Sequence, residues 1–438
     1  MNQASGAAEE IQVETREDSA VVRTVNVEVS GDRVQAAFDR TYKRLGRGAQ
    51  VKGFRKGKVP RKVLERVYGP AAAEEIERTL VSETLADALE LAEVQPVVEP
   101  DIDASPPVAG ESFRYAARVE VRPEIALPEL KGLPASRPAV SVTDEQVEER
   151  IDSMRQSAAP LVEVPEGQAS AEGDTVHVDF EGRIDGELFD GGAAEDVPIE
   201  LGSGRMIPGF EEQLTGVVSG QELDLNVQFP EDYGNESLQG RDAVFATRVR
   251  AVKQLQLPEL DDEFAKDIGE DSLEELQAKV RESLVAQAEQ ESKRELHRTL
   301  MDSLVERSEF VVPPGLVERQ LHAQMRSMQQ QFEGRIPQEA LQQQLARLQE
   351  NGREGAERQV RERLLLEAVV RDQELVVEPE AIDARLEEMA SAQGTDTAII
   401  RQLAEAQGWM ESIEAELLQE AALDFLGAGA SVEETDEA

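Results

Sequence analysis

Positive charge is scarce in this chain and gathers in one place. The chain has 438 residues, with 46 basic against 90 acidic and a formal net charge of −44. Yet residues 51–62, VKGFRKGKVPRK, hold six Lys or Arg and no acid, and residues 40–64 hold ten basic residues and no acid. Gly46, Gly48, Gly53 and Gly57 permit bends in the backbone, and Phe54 is expected to stand exposed between Gly53 and Arg55. An aromatic ring flanked by Lys52, Arg55, Lys56 and Lys58 suits a wet, anionic, partly apolar target such as an RNA–protein surface. Arg61 and Lys62 add charge at the end of the stretch. On the residues alone, a solvated basic face and an addressed contact are both open, although the opposite bias of the rest of the chain weakens the first.

No other set of side chains has the spacing of a reactive centre. His177, His297 and His322 fall in three unrelated contexts, without the spacing of a metal site or a triad, and read as surface or packing residues. Acidic pairs abound through composition, so none stands out as a general acid and base. GSGR at 202–205 lacks the Lys-Ser/Thr end and the strand–loop–helix frame of a phosphate loop. The chain has no cysteine, which excludes disulfides, thiol catalysis and Cys-based zinc sites. The residues point to no cofactor and no metal. Aromatics make up only 4%, which argues against a large aromatic-lined cavity. A surface this acidic repels free nucleic acid and anionic membranes. No run approaches the ~18 apolar residues of a membrane span. The first fifteen residues have neither a basic start nor an apolar core, so no signal peptide is expected and the protein is expected in the cytoplasm.

The elements that must position the basic loop belong to a small α+β module. Residues 20–29 alternate as a half-buried strand does. Ser30 is the expected N-cap of a helix that carries Val34, Ala37, Phe38, Tyr42 and Leu45 on one face and ends at Gly46. Pro60 suits the first turn of a second helix, and residues 71–93 read as a third. Phe113, Tyr115, Ala117, Val119 and Val121 mark another strand. The module is expected to span residues 1–122. A linker with a connecting helix follows over 123–159, marked by Pro123, Pro128, Pro134 and Pro138 and by a capping box from Thr143 to Gln146. Residues 160–253 alternate in short Gly-bounded segments and predict a β domain with one short helix near PGFEEQL. Residues 254–430 predict an all-α domain, with helices starting near 273 and running near 315–333, 337–349, 354–374, 379–391 and 409–426. Within it, Leu321, Met325, Met328 and Phe332 share one helix face. Such a face is either an ordinary helix–helix seam or, since Met adapts to many partners, a promiscuous surface. Residues 431–438 read as an unstructured acidic tail.

Five stretches carry a resemblance to known families. GFRKGKVP, Gly53 to Pro60, resembles the ribosome-docking signature of trigger factor, a family of bacterial chaperones at the peptide exit tunnel, and it lies between two helices of an N-terminal α+β domain as that signature does. The resemblance implies that Phe54, Arg55 and Lys56 are contact residues. Charge alone extends the contact to Lys52, Lys58, Arg61 and Lys62. VDFEGRIDGELFDGG, IELGSGRMIPGFEEQLTGV and FPEDYGN resemble the FKBP-type peptidyl-prolyl isomerase fold, a curved antiparallel sheet wrapped on a short helix. The family's pocket aromatics match Phe180, Phe189, Phe210, Tyr233 and Phe245. Met206 and Ile207 match its apolar wall, and Asp190 an acidic residue at the pocket edge. Phe210 stands where small FKBP enzymes often carry Trp, a change that trigger factors share. No nucleophile is needed: X–Pro rotation has a barrier of about 18–20 kcal/mol because the planar amide is resonance-stabilised, and a dry apolar pocket favours the less polar twisted amide. The alternative reading of these aromatics is that they are merely the core of a β domain. LPELDDEFAKDIG, 257–269, resembles the family's entry into a helical C-terminal body whose arms cradle nascent chain.

The resemblance thus implies a multidomain α+β protein with an N-terminal ribosome-binding domain, an FKBP-like domain and a helical chaperone domain with arms. The implied function is a ribosome-associated chaperone and prolyl isomerase. Its implied partners are the large ribosomal subunit near the exit tunnel, both protein and ribosomal RNA, and unfolded nascent polypeptides. It is expected to be a monomer or weak dimer. The rival readings are a stand-alone prolyl isomerase and a non-catalytic peptide-binding module.

Overall fold

In the computed structural model, which describes residues 11–55, 57–235 and 237–435, strands β1 (Ile11–Ser19) and β2 (Val22–Val29) form an antiparallel hairpin. With β3 (Asp101–Ala104) and β4 (Phe113–Glu120) they build a four-stranded sheet ordered β1-β2-β4-β3. The predicted alternation holds in β4: Phe113, Tyr115, Ala117 and Val119 are buried while their neighbours face out. Helices α1 (Gly31–Gly48) and α2 (Arg61–Leu91) contribute Val34, Phe38, Tyr42, Ile76 and Leu80 to the same core. Ser30 occupies the N-cap position, but its side chain makes no capping bond. The helix also runs past Gly46 to Gly48. The second and third helices expected from the sequence are one helix, with Pro70 inside it. A proline in a helix interior costs ~3 kcal/mol. Here Leu64, Ala72, Ile76, Leu80, Thr84 and Ala88 recur on one buried face across it, and burial at ~25 cal/mol per Å2 of apolar surface outweighs that cost.

The chain divides into two contact units, Met1–Pro138 with Lys293–Ala438, and Ala139–Ser292. In the second unit, helix α3 (Asp144–Ala158) opens with the expected capping box at Thr143 and Gln146. Strands β6 (Leu161–Glu163), β7 (Thr175–Ile184), β8 (Glu187–Glu200), β9 (Glu222–Gln228) and β10 (Asp242–Leu255) form one antiparallel sheet, in which β10 pairs with β6, β7 and β9. The short helix α4 (Phe210–Gln213) lies against it, with Phe210 and Leu214 in the core beside Val176, Val178, Leu225 and Phe245. Helix α5 (Asp262–Ile268), capped by Asp261, and the start of α6 (Leu273–Glu306) pack on α3 through Phe264, Leu276, Val280, Val147 and Ile151. By packing, residues 273–292 lie with the second unit.

The remaining helices are α7 (Pro314–Phe332), α8 (Gln338–Asn351), α9 (Arg353–Asp372), α10 (Pro379–Ala392), α11 (Thr397–Gln407) and α12 (Met410–Gly429). Helix α11 went unread in the sequence, although Asp396 caps it and Gly408 ends it at φ +72°. The stretch read as a linker and the stretch read as a tail meet: β5 (Pro134–Pro138) pairs in parallel with β11 (Ser431–Thr435), and Arg137 forms an ion pair with Glu434 at 2.8 Å. Leu133 and Ala135 join Leu300, Leu304, Leu365 and Leu426 in one core. Residues 431–435 are thus a strand rather than an unstructured tail; residues 436–438 lie outside the described ones. No helix among the described residues is long and apolar enough to cross a membrane.

Candidate functional site

The basic loop joins α1 to α2. Its base is fixed: Ala49 is buried, Val59 packs on the N-terminal core, and the Ala49 amide donates to Leu45 O at 2.8 Å. Its tip is two tight turns, closed by Phe54 N to Val51 O at 3.0 Å and by Lys58 N to Arg55 O at 2.9 Å. Gly53 at φ +94° and Gly57 at φ +80° sit in the left-handed region that these turns require. Phe54 is 42% exposed, a large apolar ring held in solvent among cations.

Local pairing separates cations on the helices that flank the loop from those of the loop itself. Arg40 pairs with Glu83 at 3.0 Å, Arg44 with Glu75, and Arg61 with both Asp39 and Glu65. Arg61 also lies over the Tyr42 ring, 5.4 Å from its centroid. Arg61, counted from its charge among the contact cations, instead ties the loop's exit to α1. Lys52, Arg55, Lys58 and Lys62 have no ion-pair partner among the described residues and face solvent. Lys56 lies outside the described residues.

In the middle unit the aromatic residues converge. Phe210 has no exposed surface and Phe245 is buried beside it, their ring centroids 5.3 Å apart in an edge-on arrangement. Phe180 meets both, at 5.9 Å and 5.5 Å, and Phe189 lies 6.0 Å from Phe245. Met206 and Ile207 are half-buried against the same cluster. Tyr233, 36% exposed, joins through Phe229, at 4.8 Å. The side chain of Asp190 lies outside the described residues. Phe229 and Gly182 were missed in the sequence. Phe229 is buried and bridges Tyr233 to Phe189 and Phe245; its place four residues before Tyr233 in FPEDYGN is the signal. A Cβ on Gly182 would stand 2.7 Å from both the Phe189 and Phe245 rings, so only glycine lets them approach. The cluster runs from a sealed floor to an exposed rim, and its members among the described residues are apolar or aromatic: it can hold an apolar ring and strip water from an adjoining amide.

The loop carrying Met206 is tethered by Glu211. Its Oε2 accepts from the amides of Gly202 and Gly204, both at 3.0 Å, and its Oε1 from the Met206 amide at 2.9 Å and Ser203 Oγ at 3.1 Å. Burial pushes this carboxyl up. The bonds from Met206, Gly204, Ser203 and Gly202 outweigh burial and hold it below the usual glutamate range. A depressed folded-state pKa stabilises the fold fully above the unfolded value of about 4.3 and progressively less as pH falls through the folded value. The difference in denaturation midpoint between the protein and its Glu211→Gln variant is therefore expected to stay constant from about pH 8 to 5 and to shrink below about pH 4. Urea titrations across that range check this.

On α7, the expected face splits. Leu321 packs into the core formed by Leu316, Val317, Val360 and Leu364. Met325 lines a groove of about 890 Å3 with Val98, Glu120, His322 and Leu345, while Met328 and Phe332 are half-buried. Ile399, Leu403 and Trp409 expose apolar surface that the sequence reading overlooked.

Comparison with known proteins matches this arrangement segment by segment. The family model of bacterial trigger factor protein matches residues 10–154, that of the trigger factor C-terminus residues 272–428, and that of FKBP-type peptidyl-prolyl cis-trans isomerase residues 166–250. Trigger factor of Syntrophotalea carbinolica is 36% identical over 437 residues, covering 97% of each chain. That of Bacillus subtilis is 37% identical over 414 residues, covering 92% of this chain and 96% of its own. A solved trigger factor chaperone, studied for promiscuous substrate recognition in folding and assembly, shares the fold at a TM-score of 0.51 and 20% identity, covering 95% of this chain and 99% of that one. With identity above a third along nearly the whole of two curated chains, and all three modules in the same order, this chain belongs to the trigger factor family.

Proposed function

We propose that this protein is a ribosome-associated chaperone in which the α1–α2 loop docks, the aromatic cluster isomerises X–Pro bonds, and the C-terminal helices hold nascent chain. Membership of the family supports the ribosome association, the chaperone role and the isomerase domain. One observation carries the docking assignment: Lys52, Arg55 and Lys58 stay unpaired around an exposed Phe54, while Arg40, Arg44 and Arg61 are neutralised by local acids. Phe54, Arg55 and Lys56 are the contact residues, with Lys52 and Lys58 flanking them. Their target is a ribosomal protein beside the exit tunnel together with nearby ribosomal RNA.

In the isomerase domain, Phe210 and Phe245 form the floor on which a proline ring sits. Phe180, Phe189, Met206, Ile207 and Tyr233 wall it, and the family resemblance alone assigns Asp190 to its edge. Each 1.36 kcal/mol removed from the rotation barrier gives about tenfold in rate, and desolvation of the amide is the only device the pocket needs. Met325, Met328 and Phe332 hold client segments, with Ile399, Leu403 and Trp409 adding apolar surface of the same kind. Leu321 serves the core instead. The protein acts in the cytoplasm as a monomer or weak dimer. A stand-alone isomerase or a passive peptide-binding module would have no use for the exposed tip.

Counterion release makes the docking claim measurable. With about three phosphate contacts, the affinity for ribosomes is expected to fall on the order of tenfold or more between about 50 and 200 mM salt. Co-sedimentation across a salt series checks this, and binding that ignores salt would count against an electrostatic tip.

A further inference from the structure

Phe210 and Glu211 are adjacent in sequence and face opposite tasks. Phe210 fills the floor of the aromatic cluster, while Glu211, only 9% exposed, turns toward the 202–206 loop. Both its oxygens are saturated, each accepting two hydrogen bonds, which is about the full acceptor capacity of a carboxylate. Three of the four donors are backbone amides, so the tether fixes main chain rather than a side-chain rotamer. The loop needs such a tether. Gly202 at φ +90° and Gly204 at φ +66° have wide conformational freedom, and the 202–206 segment forms neither helix nor strand. What the loop delivers is Met206 and Ile207, both packed against the aromatic rings. The Phe210 amide in turn donates to Ile207 O at 3.1 Å, so floor, wall and tether are one connected unit.

We infer that Glu211 is a positioning residue for prolyl isomerisation: its carboxylate holds the 202–206 backbone in the conformation that sets Met206 and Ile207 as the pocket wall. It touches no substrate. It acts through the loop, and the loop acts by excluding water from the twisting amide. The inference rests on the reading of the aromatic cluster as the isomerase pocket. Glutamine cannot substitute. Its amide nitrogen offers only donors, so in either orientation at least one backbone amide would face another donor: Met206, or both Gly202 and Gly204.

The test uses the full chain, with an X–Pro peptide assay and amide hydrogen exchange side by side. In Glu211→Gln, kcat/KM is expected to fall about tenfold, mostly through kcat. Exchange at Gly202, Gly204 and Met206 is expected to accelerate at least tenfold more than in β7 and β10, where it rises only by the uniform factor that the lower global stability sets. A merely structural role would raise exchange across the sheet and leave no localised signature. If the unaltered protein isomerises the peptide and Glu211→Gln stays within twofold of it, the positioning role fails. If the unaltered protein has no isomerase activity, the pocket reading itself fails. Should Glu211→Gln unfold the domain, Ser203→Ala decides, since it removes one donor and leaves the backbone bonds. A two- to fivefold loss of kcat/KM with intact sheet protection supports the tether, and unchanged rate and exchange overturn it.

Discussion

Ribosome co-sedimentation is expected to disappear when Phe54, Arg55 and Lys56 are replaced together by Ala, in a protein that remains folded and keeps its isomerase activity. The size of the effect follows from where these residues stand. Phe54 is a large ring already exposed in the free protein, and a buried aromatic anchor at an interface centre contributes about 2 kcal/mol or more. Two cations set against phosphate or acidic side chains add on the order of 1 kcal/mol each. At 1.4 kcal/mol per tenfold, the sum is a loss of roughly two to three decades in affinity, which takes binding below what sedimentation detects. Stability should hardly move, since exposed surface substitutions usually stay within about 0.5 kcal/mol and the loop's base is anchored by Ala49, Val59 and Arg61. Arg61→Ala is the informative contrast. It should loosen the loop's exit by breaking the pairs with Asp39 and Glu65 and weaken binding far less. Undiminished sedimentation of the triple variant would sink the docking assignment.

The loop was legible because its charge runs against the rest of the chain. A local anomaly of six cations in twelve residues needs no knowledge of tertiary structure. The strands and most helices were legible for a similar reason: periodicity is a local property, and burial in β4 follows the alternation residue by residue. What depended on distant partners was not. The pairing of Ser431–Thr435 with Pro134–Pro138 joins segments almost three hundred residues apart, and nothing in SVEET announces a strand without its neighbour. Helix α2 reads as two because Pro70 is a local stop signal, and only the shared buried face overrides it. The aromatic positions came from the family resemblance rather than from pattern. Glu211 could not be singled out among 90 acidic residues, because its importance lies in four bonds to a loop that the sequence leaves shapeless.

The proposed isomerase pocket yields the second large effect, and the two ends of the cluster should separate its causes. Phe210→Ala removes a ring with no exposed surface, in contact with Phe180 and Phe245. Large-to-small changes of this kind cost ~3–5 kcal/mol, so the middle domain should lose stability as well as activity. Tyr233→Ala removes a ring at the rim, 36% exposed and held mainly by Phe229. Its stability cost should be smaller, while its effect on the rate should persist, because the rim closes the wet side of the pocket. The expected pattern is therefore a proline-limited refolding assay slowed about tenfold or more by either change, with a clear drop in denaturation midpoint for Phe210→Ala alone. Loss of activity in both with loss of stability in one distinguishes a pocket from a mere core, since core residues would lose the two in proportion. Full activity in both variants would remove these residues from the isomerase site. Suppression of client aggregation should survive both changes, because the apolar surfaces at Met325, Met328, Ile399 and Leu403 are untouched.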